Sequence, residues 1–372
     1  MKLVPPFVLS ATVALTLVVV DVRAEASFDA PKRLVAMLGI AIALAALAFT
    51  RDARVRWTRP QRAIACCAGA ALLFVVASAF LSPREAIALD ATRTMFVFAA
   101  LPLIVAADER AWRWIVHAML IGAAANAVVS ITQWLSIAQP FQYVTRGGRG
   151  NVSAMIGNTG VLGLVCAFAI LLLVPRLSRG ATGLWALVAL LLVTLLVNRS
   201  ITPFVVLAAG LLAYAPRVRA RSLLAAAALL FTFAATDLDG VHRVDKFLSY
   251  RFGPWRAALA MTAERPLLGF GAGTYGAEFA RHADGAFVNP GLAGSFAQAH
   301  NDYLQAMAEL GIPATLLLLA AFVLLVRSAR ADVLTLSILL GGAVAALTWF
   351  PLQRPETALL LLAACGRAWR SA

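Results

Sequence analysis

Long apolar runs separated by short polar segments make up most of the chain. Twelve hydrophobic windows can be drawn, and each suits a helix that crosses much or all of a bilayer. The pattern predicts an all-α polytopic membrane protein with about 12 transmembrane helices. Eleven helices is the alternative, because the eighth window is marginal and the last is short. The windows are 3–20, 34–49, 62–81, 92–106, 114–135, 153–174, 182–197, 201–215, 222–236, 303–326, 333–350 and 356–366.

Polar residues collect in one long segment, residues 237–300, which follows nine of the windows. We predict a single membrane domain in which residues 1–236 form transmembrane helices 1–9 and residues 301–372 form helices 10–12. The segment between them is predicted to be a periplasmic loop that contains short helices.

This loop has its own local signals. Pro254 suits the first position of a helix and Pro266 follows a natural end, so the pattern predicts a surface helix over 254–264. The glycines that follow include Gly271, Gly273 and Gly276, spaced as in a dinucleotide-binding fingerprint. No strand or βαβ unit precedes them, so we interpret them as a tight turn that packs the loop against the helices.

Composition supports the membrane assignment. The 372 residues are 62% hydrophobic and 13% charged, with a mean hydropathy of +0.84. A soluble protein of this length could not bury so much apolar surface. The four cysteines all fall inside hydrophobic windows and show neither metal-ligand spacing nor a disulfide framework.

The net charge of +14 is distributed asymmetrically. With Met1 on the cytoplasmic side, the loops on that side and both termini hold 17 Lys and Arg against four Asp and Glu, and the rest of the chain holds 15 against 14. This asymmetry is the positive-inside pattern of a membrane protein, so a nucleic-acid partner is not expected.

The first window has two interpretations. Lys2, an apolar run and Val22-Arg23-Ala24 are compatible with a cleaved signal peptide. Pro5-Pro6 and the charge-rich sequence that follows fit an uncleaved first helix better. Either interpretation leaves the predicted orientation unchanged.

The most unusual polar stretch lies where the tenth predicted span begins. Asp302, Gln305 and Glu309 recur at positions that share one face of a helix, and His300 and Asn301 precede them. Ionisable groups are costly in hydrocarbon and commonly mark functional sites. Each carboxylate could tune His300, pair with an arginine or face a wet cavity.

Several basic groups are predicted to lie at the outer ends of the helices, and an arginine there can simply reach for lipid head groups. Arg199 and Arg251 are the stronger candidates for a ligand, since Arg199 sits in a three-residue loop and Arg251 directly precedes the predicted surface helix. Clustered guanidinium groups suit the phosphate or pyrophosphate of a lipid carrier. His300 can act as a general base near neutral pH, although a capping or water-facing role is also open. The basic set is Arg146, Arg149, Arg199, Arg251, His300 and Arg354.

Three motifs together resemble the bacterial O-antigen ligase and polymerase superfamily. The stretch from His300-Asn301 through Leu304 to Glu309-Leu310-Gly311 is similar to the family's His-Asn-x-x-Leu and Glu-x-Gly signature. Arg251-x-x-x-Trp255 and the glycine-rich turn resemble its long periplasmic loop. Arg149-Gly150, Gly157-Asn158 and Asn198-Arg199-Ser200 are looser counterparts of the earlier arginine-bearing motifs.

The resemblance implies an inverting glycosyl transfer without a metal ion or another cofactor. The donor would be an undecaprenyl-pyrophosphate-linked glycan, and the acceptor a sugar hydroxyl on lipid A-core or on a second lipid-linked glycan. The reaction would take place at the periplasmic face of the bacterial inner membrane, among membrane lipids. The implied catalytic residues are His300, Arg251 and Arg199, and the implied substrate-binding residues are Arg149, Arg146, Asn301, Asp302, Arg354 and Trp255.

Alternatives of other classes stay open at this point. A ligase and a polymerase need the same donor chemistry, so the motifs do not separate them. A protein-directed oligosaccharyltransferase would be expected to carry an additional soluble domain. A transporter or flippase could use Asn126, Gln133 and Asn158 to line a polar path, although these residues could equally form hydrogen bonds between helices. A non-catalytic scaffold is the remaining possibility.

Overall fold

The computed structural model describes residues 4–24, 26–49, 57–138, 152–214, 240–284 and 296–372, and over these ranges the secondary structure is helical, without strands. The α-helices are α1 (Val4–Val18), α2 (Asp29–Ala48), α3 (Arg59–Phe80), α4 (Glu85–Ala107), α5 (Glu109–Trp134), α6 (Thr159–Leu177), α7 (Trp185–Asn198), α8 (Thr202–Leu212), α9 (Gly240–Glu264), α10 (Tyr275–His282), α11 (Asp302–Ser328), α12 (Val333–Thr348) and α13 (Pro355–Arg370).

The all-α class is confirmed. Eleven of the twelve hydrophobic windows overlap a described helix, and the ninth, 222–236, lies outside the described residues. Helices α2, α3, α4, α5, α6 and α11 are long and apolar enough to cross a membrane. Helices α1, α7, α8 and α12 are apolar but shorter. The total of twelve crossings therefore stays a prediction.

Helix α6 forms the centre of the bundle. All its residues from Gly160 to Leu173 are buried, and it packs against α5, α7, α8, α12 and α13. A helix that is apolar on every side is expected in such an interior position. Its burial fixes the place of its N-terminal end, where the candidate site is built.

Buried amide side chains fix the turn that leads into α6. Asn126 accepts a hydrogen bond from the Met155 amide at 3.0 Å and donates to the Leu17 carbonyl at 2.9 Å. Gln133 accepts from the Ala154 amide at 2.9 Å. Both side chains therefore bond to backbone groups. This favours the interpretation that they form hydrogen bonds between elements over the alternative that they line a polar transport path.

Asn158 also bonds to the backbone. Its side chain caps α6 by accepting from the Val161 amide at 3.1 Å. The Thr159 carbonyl in turn accepts from the Asn198 side chain at 2.7 Å, which links the start of α6 to the end of α7.

The predicted surface helix over 254–264 begins earlier than expected. Helix α9 starts at Gly240 and contains Pro254, so the assignment of Pro254 to its first position is wrong, whereas its end at Glu264 is confirmed. Proline lacks the N–H that would bond to the carbonyl four residues back, but the turns on either side can remain helical. Arg251 therefore lies inside the helix and does not precede it.

The glycine-rich turn packs against a break in α11. Gly311 has φ +83° and ψ 166°, and Pro313 follows it. The amides of Phe270 and Gly271 donate to the carbonyls of Ala308 and Glu309 at 3.0 and 2.8 Å. These backbone bonds satisfy carbonyls that a break and a proline leave unpaired within the helix. The predicted role of the turn in packing the loop against the bundle is confirmed.

Candidate active site

The candidate site lies where α6 begins and α12 ends, and Trp349 is its central side chain. A Cβ added to Gly160 would lie 2.3 Å from the Trp349 ring, so the indole rests on the bare backbone of α6. The same ring lies 5.5 Å from the Arg251 guanidinium carbon and 5.2 Å from the His300 ring centroid. The structure thus brings two of the three predicted catalytic residues onto one indole.

Arg251 is held in a buried position, with 6% of its surface exposed. Its Nε donates to the Thr348 carbonyl at 3.0 Å, and its guanidinium stacks over the Trp349 ring. Burial lowers the pKa of Arg251 to about 10. The side chain is therefore charged at neutral pH. Because it is buried, its hydrogen bond to a phosphate oxygen would be stronger than the same bond in water.

His300 lies two residues before the first residue of α11, and Asn301 between them is the N-cap of that helix. The φ of His300 is +55°, a left-handed conformation that few non-glycine residues adopt. Its Nδ1 lies 3.2 Å from the Gln298 carbonyl, which can only accept, so Nδ1 carries the proton and Nε2 is the free base.

The surroundings of His300 keep it uncharged. Burial and the nearby Arg251 guanidinium lower the pKa of His300 to about 4. Its ring packs edge-to-face against Trp349 and Phe350, with centroids 5.2 and 5.1 Å away. At neutral pH the imidazole is therefore uncharged and its Nε2 can accept a hydrogen bond, although the lowered pKa makes it a weaker base than a free histidine.

Asn301 and Asp302 bond to the backbone of their surroundings. Asn301 accepts from the amides of Tyr303 and Leu304 at 3.0 Å each, which caps α11. Asp302 accepts from the Leu352 amide at 3.0 Å and from the Gln353 side chain at 2.9 Å. Both residues hold the segments that present His300 and Phe350.

Gln305 and Glu309 extend this polar face, as predicted. Gln305 accepts from the Ala299 amide at 2.8 Å and donates to Glu309 at 2.9 Å. Glu309 accepts from the amides of Gly273 and Tyr275 at 2.9 and 3.1 Å. The face joins α11 to the residues before His300 and to the glycine-rich turn. Among the described residues, its carboxylates bond to neither His300 nor an arginine.

Arg199 lies exposed at the same end of the bundle, in the short connection between α7 and α8. It too is left-handed, with φ +61°. Three residues further on, the Thr202 hydroxyl lies 3.3 Å from the hydroxyl of Thr348, whose carbonyl accepts from Arg251. The backbone therefore places Arg199 beside the site.

Arg354 belongs to a group of four charges, which we call the ion quartet: Asp29, Lys32, Arg354 and Glu356. Asp29 is half-exposed, and the other three are buried. Arg354 contacts Asp29 and lies 3.1 Å from Glu356, which lies 3.2 Å from Lys32. Lys32 also donates to the Met155 carbonyl at 2.6 Å. The quartet fastens the starts of α2 and α13 to the turn before α6.

The remaining predicted residues have different outcomes. Trp255 lies one turn beyond Arg251 and packs edge-to-face on Phe252, with centroids 5.9 Å apart. Arg146 and Arg149 lie outside the described residues. Within the described ranges, no group of three or more His, Cys, Asp or Glu could hold a metal ion.

Sequence reasoning missed Trp349 and Lys32. Trp349 ends an apolar window, where a tryptophan is ordinarily taken for an interfacial anchor. Lys32 precedes another window and resembles a cation that reaches for lipid head groups. A lysine and a glutamate close to the outer ends of two predicted helices were the available signal for the quartet.

Comparison with known proteins supports the resemblance seen in the motifs. A family model described as O-antigen ligase matches residues 158–319, a segment that includes Arg199, Arg251 and His300. The resemblance to the O-antigen ligase superfamily is thereby confirmed. A search of the curated proteins found no match.

Proposed function

Because residues 158–319 match the O-antigen ligase family, we propose that this protein transfers a glycan from undecaprenyl pyrophosphate to a sugar hydroxyl. The acceptor is the lipid A-core or, if the enzyme is a polymerase, a second lipid-linked glycan. The reaction takes place at the periplasmic face of the bacterial inner membrane.

One observation carries the mechanism. The charged guanidinium of Arg251 and the neutral imidazole of His300, both from the matched segment, contact the same indole ring. The guanidinium is suited to an anionic leaving group, and the imidazole can accept the proton of a hydroxyl as its oxygen attacks. A glycosyl transfer from a diphosphate needs both at once.

The proposed step is a direct displacement with inversion at the anomeric carbon. The acceptor hydroxyl gives its proton to His300 Nε2 as its oxygen forms the new bond to carbon. The bond between that carbon and the diphosphate oxygen breaks, and its electron pair leaves with the diphosphate. Arg251, joined by Arg199, stabilises this developing charge. The step draws on no metal ion.

The other residues act around these three. We assign Arg146 and Arg149 to the diphosphate and Trp255 to the sugar. An indirect role in substrate binding is assigned to Asn301, Asp302 and Arg354. Their side chains hold the segments that carry His300 and Phe350 in place.

The proposal can be tested by complementation of a strain that lacks the protein. We expect His300→Ala and Arg251→Ala to abolish polymer transfer, because loss of a buried charge-assisted contact costs about 2–5 kcal/mol, or roughly 30-fold or more in rate. His117→Ala and Arg256→Ala are matched controls, because both side chains are exposed, His117 lies beside the Arg113 carbonyl and Arg256 pairs with Asp284. Normal surface glycan from both test variants, at normal expression, would refute the assignment.

The glycans of the deletion strain identify the acceptor. Loss of polymer from lipid A-core, with lipid-linked polymer accumulating, indicates a ligase. Reduction of the chains to one repeat unit indicates a polymerase. A polar path opened to the cytoplasmic side, with transport of lipid-linked glycan across vesicle membranes, would instead indicate a flippase.

A further inference from the structure

Trp349 contacts both proposed catalytic groups but has no chemical role in the step described above. Its indole N–H is buried without a hydrogen-bond partner among the described residues, and indole is neither an acid nor a base near neutral pH. Its ring stacks on Phe350, with centroids 5.0 Å apart and planes 15° apart. A role for Trp349 must therefore come from the packing of its ring against Arg251, His300 and Phe350.

Three aromatic rings surround the His300 imidazole, and we call them the aromatic enclosure: Phe296, Trp349 and Phe350. Their centroids lie 6.3, 5.2 and 5.1 Å from that of His300. Each ring meets the imidazole at 75° to 84°, an edge-to-face arrangement. The imidazole is half-buried, so these rings shield part of it from water and leave part of it accessible.

The charged groups around His300 come from three elements. Arg251 approaches from α9 and lies over the Trp349 ring, 5.5 Å from its centroid. Asp302 and Glu309 belong to α11, where backbone amides and glutamine side chains occupy their oxygens. Arg354 follows Phe350 and is paired with Asp29 and Glu356. Arg251 is therefore the charge whose distance from His300 matters most.

We propose that Trp349 is a positioning residue of the transfer reaction. Its indole contacts both the Arg251 guanidinium and the His300 imidazole and fixes their relative positions, and the aromatic enclosure limits the access of water to the imidazole. One group can then hold the leaving diphosphate while the other accepts the hydroxyl proton. This inference rests on the proposed function for its catalytic meaning, but the arrangement itself can be measured without substrate.

Gly160 offers a way to move the indole without changing an aromatic or charged residue. A methyl group there would lie 2.3 Å from the Trp349 ring, so Gly160→Ala should displace it. Gly69→Ala in α3 is the matched control, because nothing lies within 4 Å of its added Cβ. Trp349→Phe is the second variant, because it keeps an aromatic side chain with a smaller ring.

The measurement is the titration of His300 in histidine-labelled protein by nuclear magnetic resonance. The chain has four histidines, so the signal that is lost in His300→Gln identifies the residue. We expect wild type and Gly69→Ala to stay neutral down to about pH 4. In Gly160→Ala and Trp349→Phe the midpoint should rise by about one pH unit or more, because water reaches the ring.

The acid side of the pH–rate profile should move in the same direction as these midpoints. Unchanged midpoints in both folded variants would overturn the inference; should Gly160→Ala fail to fold, Trp349→Phe alone decides. Failure of the proposed function would look different, since His300→Ala cells would then make normal glycan whatever the titration shows.

Discussion

At the scale of single residues, backbone strain coincides with the proposed chemistry. In the described part of the chain, four non-glycine residues have positive φ: Ser136, Ala154, Arg199 and His300. Two of these are predicted catalytic residues. A left-handed conformation costs an L-residue roughly 1–2 kcal/mol, and such strain persists at positions where the side chain is needed.

Arg199 allows this strain to be measured. It occupies the C-cap of α7 with φ +61°, where glycine is the usual residue. We expect Arg199→Gly to stabilise the protein by about 1 kcal/mol and to reduce polymer transfer. Arg199→Ala should reduce transfer equally without the gain, and thermal unfolding in detergent compares the two. A gain of equal size in the alanine variant would argue against the strain.

Asn301 gives a second prediction at this scale, because its oxygen accepts from two amides at the start of α11. We expect Asn301→Ala to lower the free energy of unfolding by about 1 kcal/mol. Asn301→Ser retains an acceptor and should lose much less. Equal losses, measured by denaturant unfolding, would show that the cap contributes little.

At the scale of elements, the break in α11 is the feature on which the site depends. The Ile312 amide donates to the Pro266 carbonyl at 2.8 Å, and two amides of the glycine-rich turn bond to the carbonyls just before the break. The Glu309 carboxylate fastens the next residues of the same turn. The loop and the helix therefore form one unit that positions α10, the end of α9 and His300.

Gly311 is the critical position of this unit. A Cβ there would lie 2.3 Å from the Leu267 carbonyl oxygen, and its φ and ψ are open to glycine almost alone. We expect Gly311→Ala to destabilise the protein by about 2–4 kcal/mol. Gly69→Ala should have little effect in the same melting assay. A small change at both positions would contradict the packing described here.

Helix positions could be predicted from sequence because apolar runs report burial in lipid or protein directly. The start of α9 could not be predicted in this way. Proline is typical of the first turn of a helix, so Pro254 indicated a start, whereas the helix already begins at Gly240. The partners of Asp302 and Glu309 lie about 50 and 36 residues away in sequence and are mostly backbone amides. No side-chain pattern announces such partners.

At the scale of the whole molecule, one end of the bundle concentrates the polar interior. The ion quartet, the polar face of α11 and the aromatic enclosure all adjoin the starts of α6 and α13. Arg251 and His300 were predictable from residue type and from the motifs to which they belong. Trp349 and Lys32 were not, because each acquires its role only when helices distant in sequence meet.

The ion quartet predicts strong coupling between α2 and α13. The Lys32 and Glu356 side chains are both 0% exposed, so removal of either leaves the largely buried quartet with an unbalanced net charge. We expect Lys32→Met and Glu356→Gln each to cost about 3–5 kcal/mol. The double variant should cost less than the sum by roughly 1–3 kcal/mol. Additive losses in thermal unfolding would show that the pair acts independently.

The pairing of α11 with the glycine-rich turn also bears on how the chain is assembled in the cell. The turn precedes α11 in sequence, so it leaves the ribosome first and is available when the broken helix emerges. Carbonyls exposed to lipid cost several kcal/mol each, which favours docking of the turn before release of α11 from the insertion machinery. The order of synthesis thus matches the order in which these backbone groups need partners.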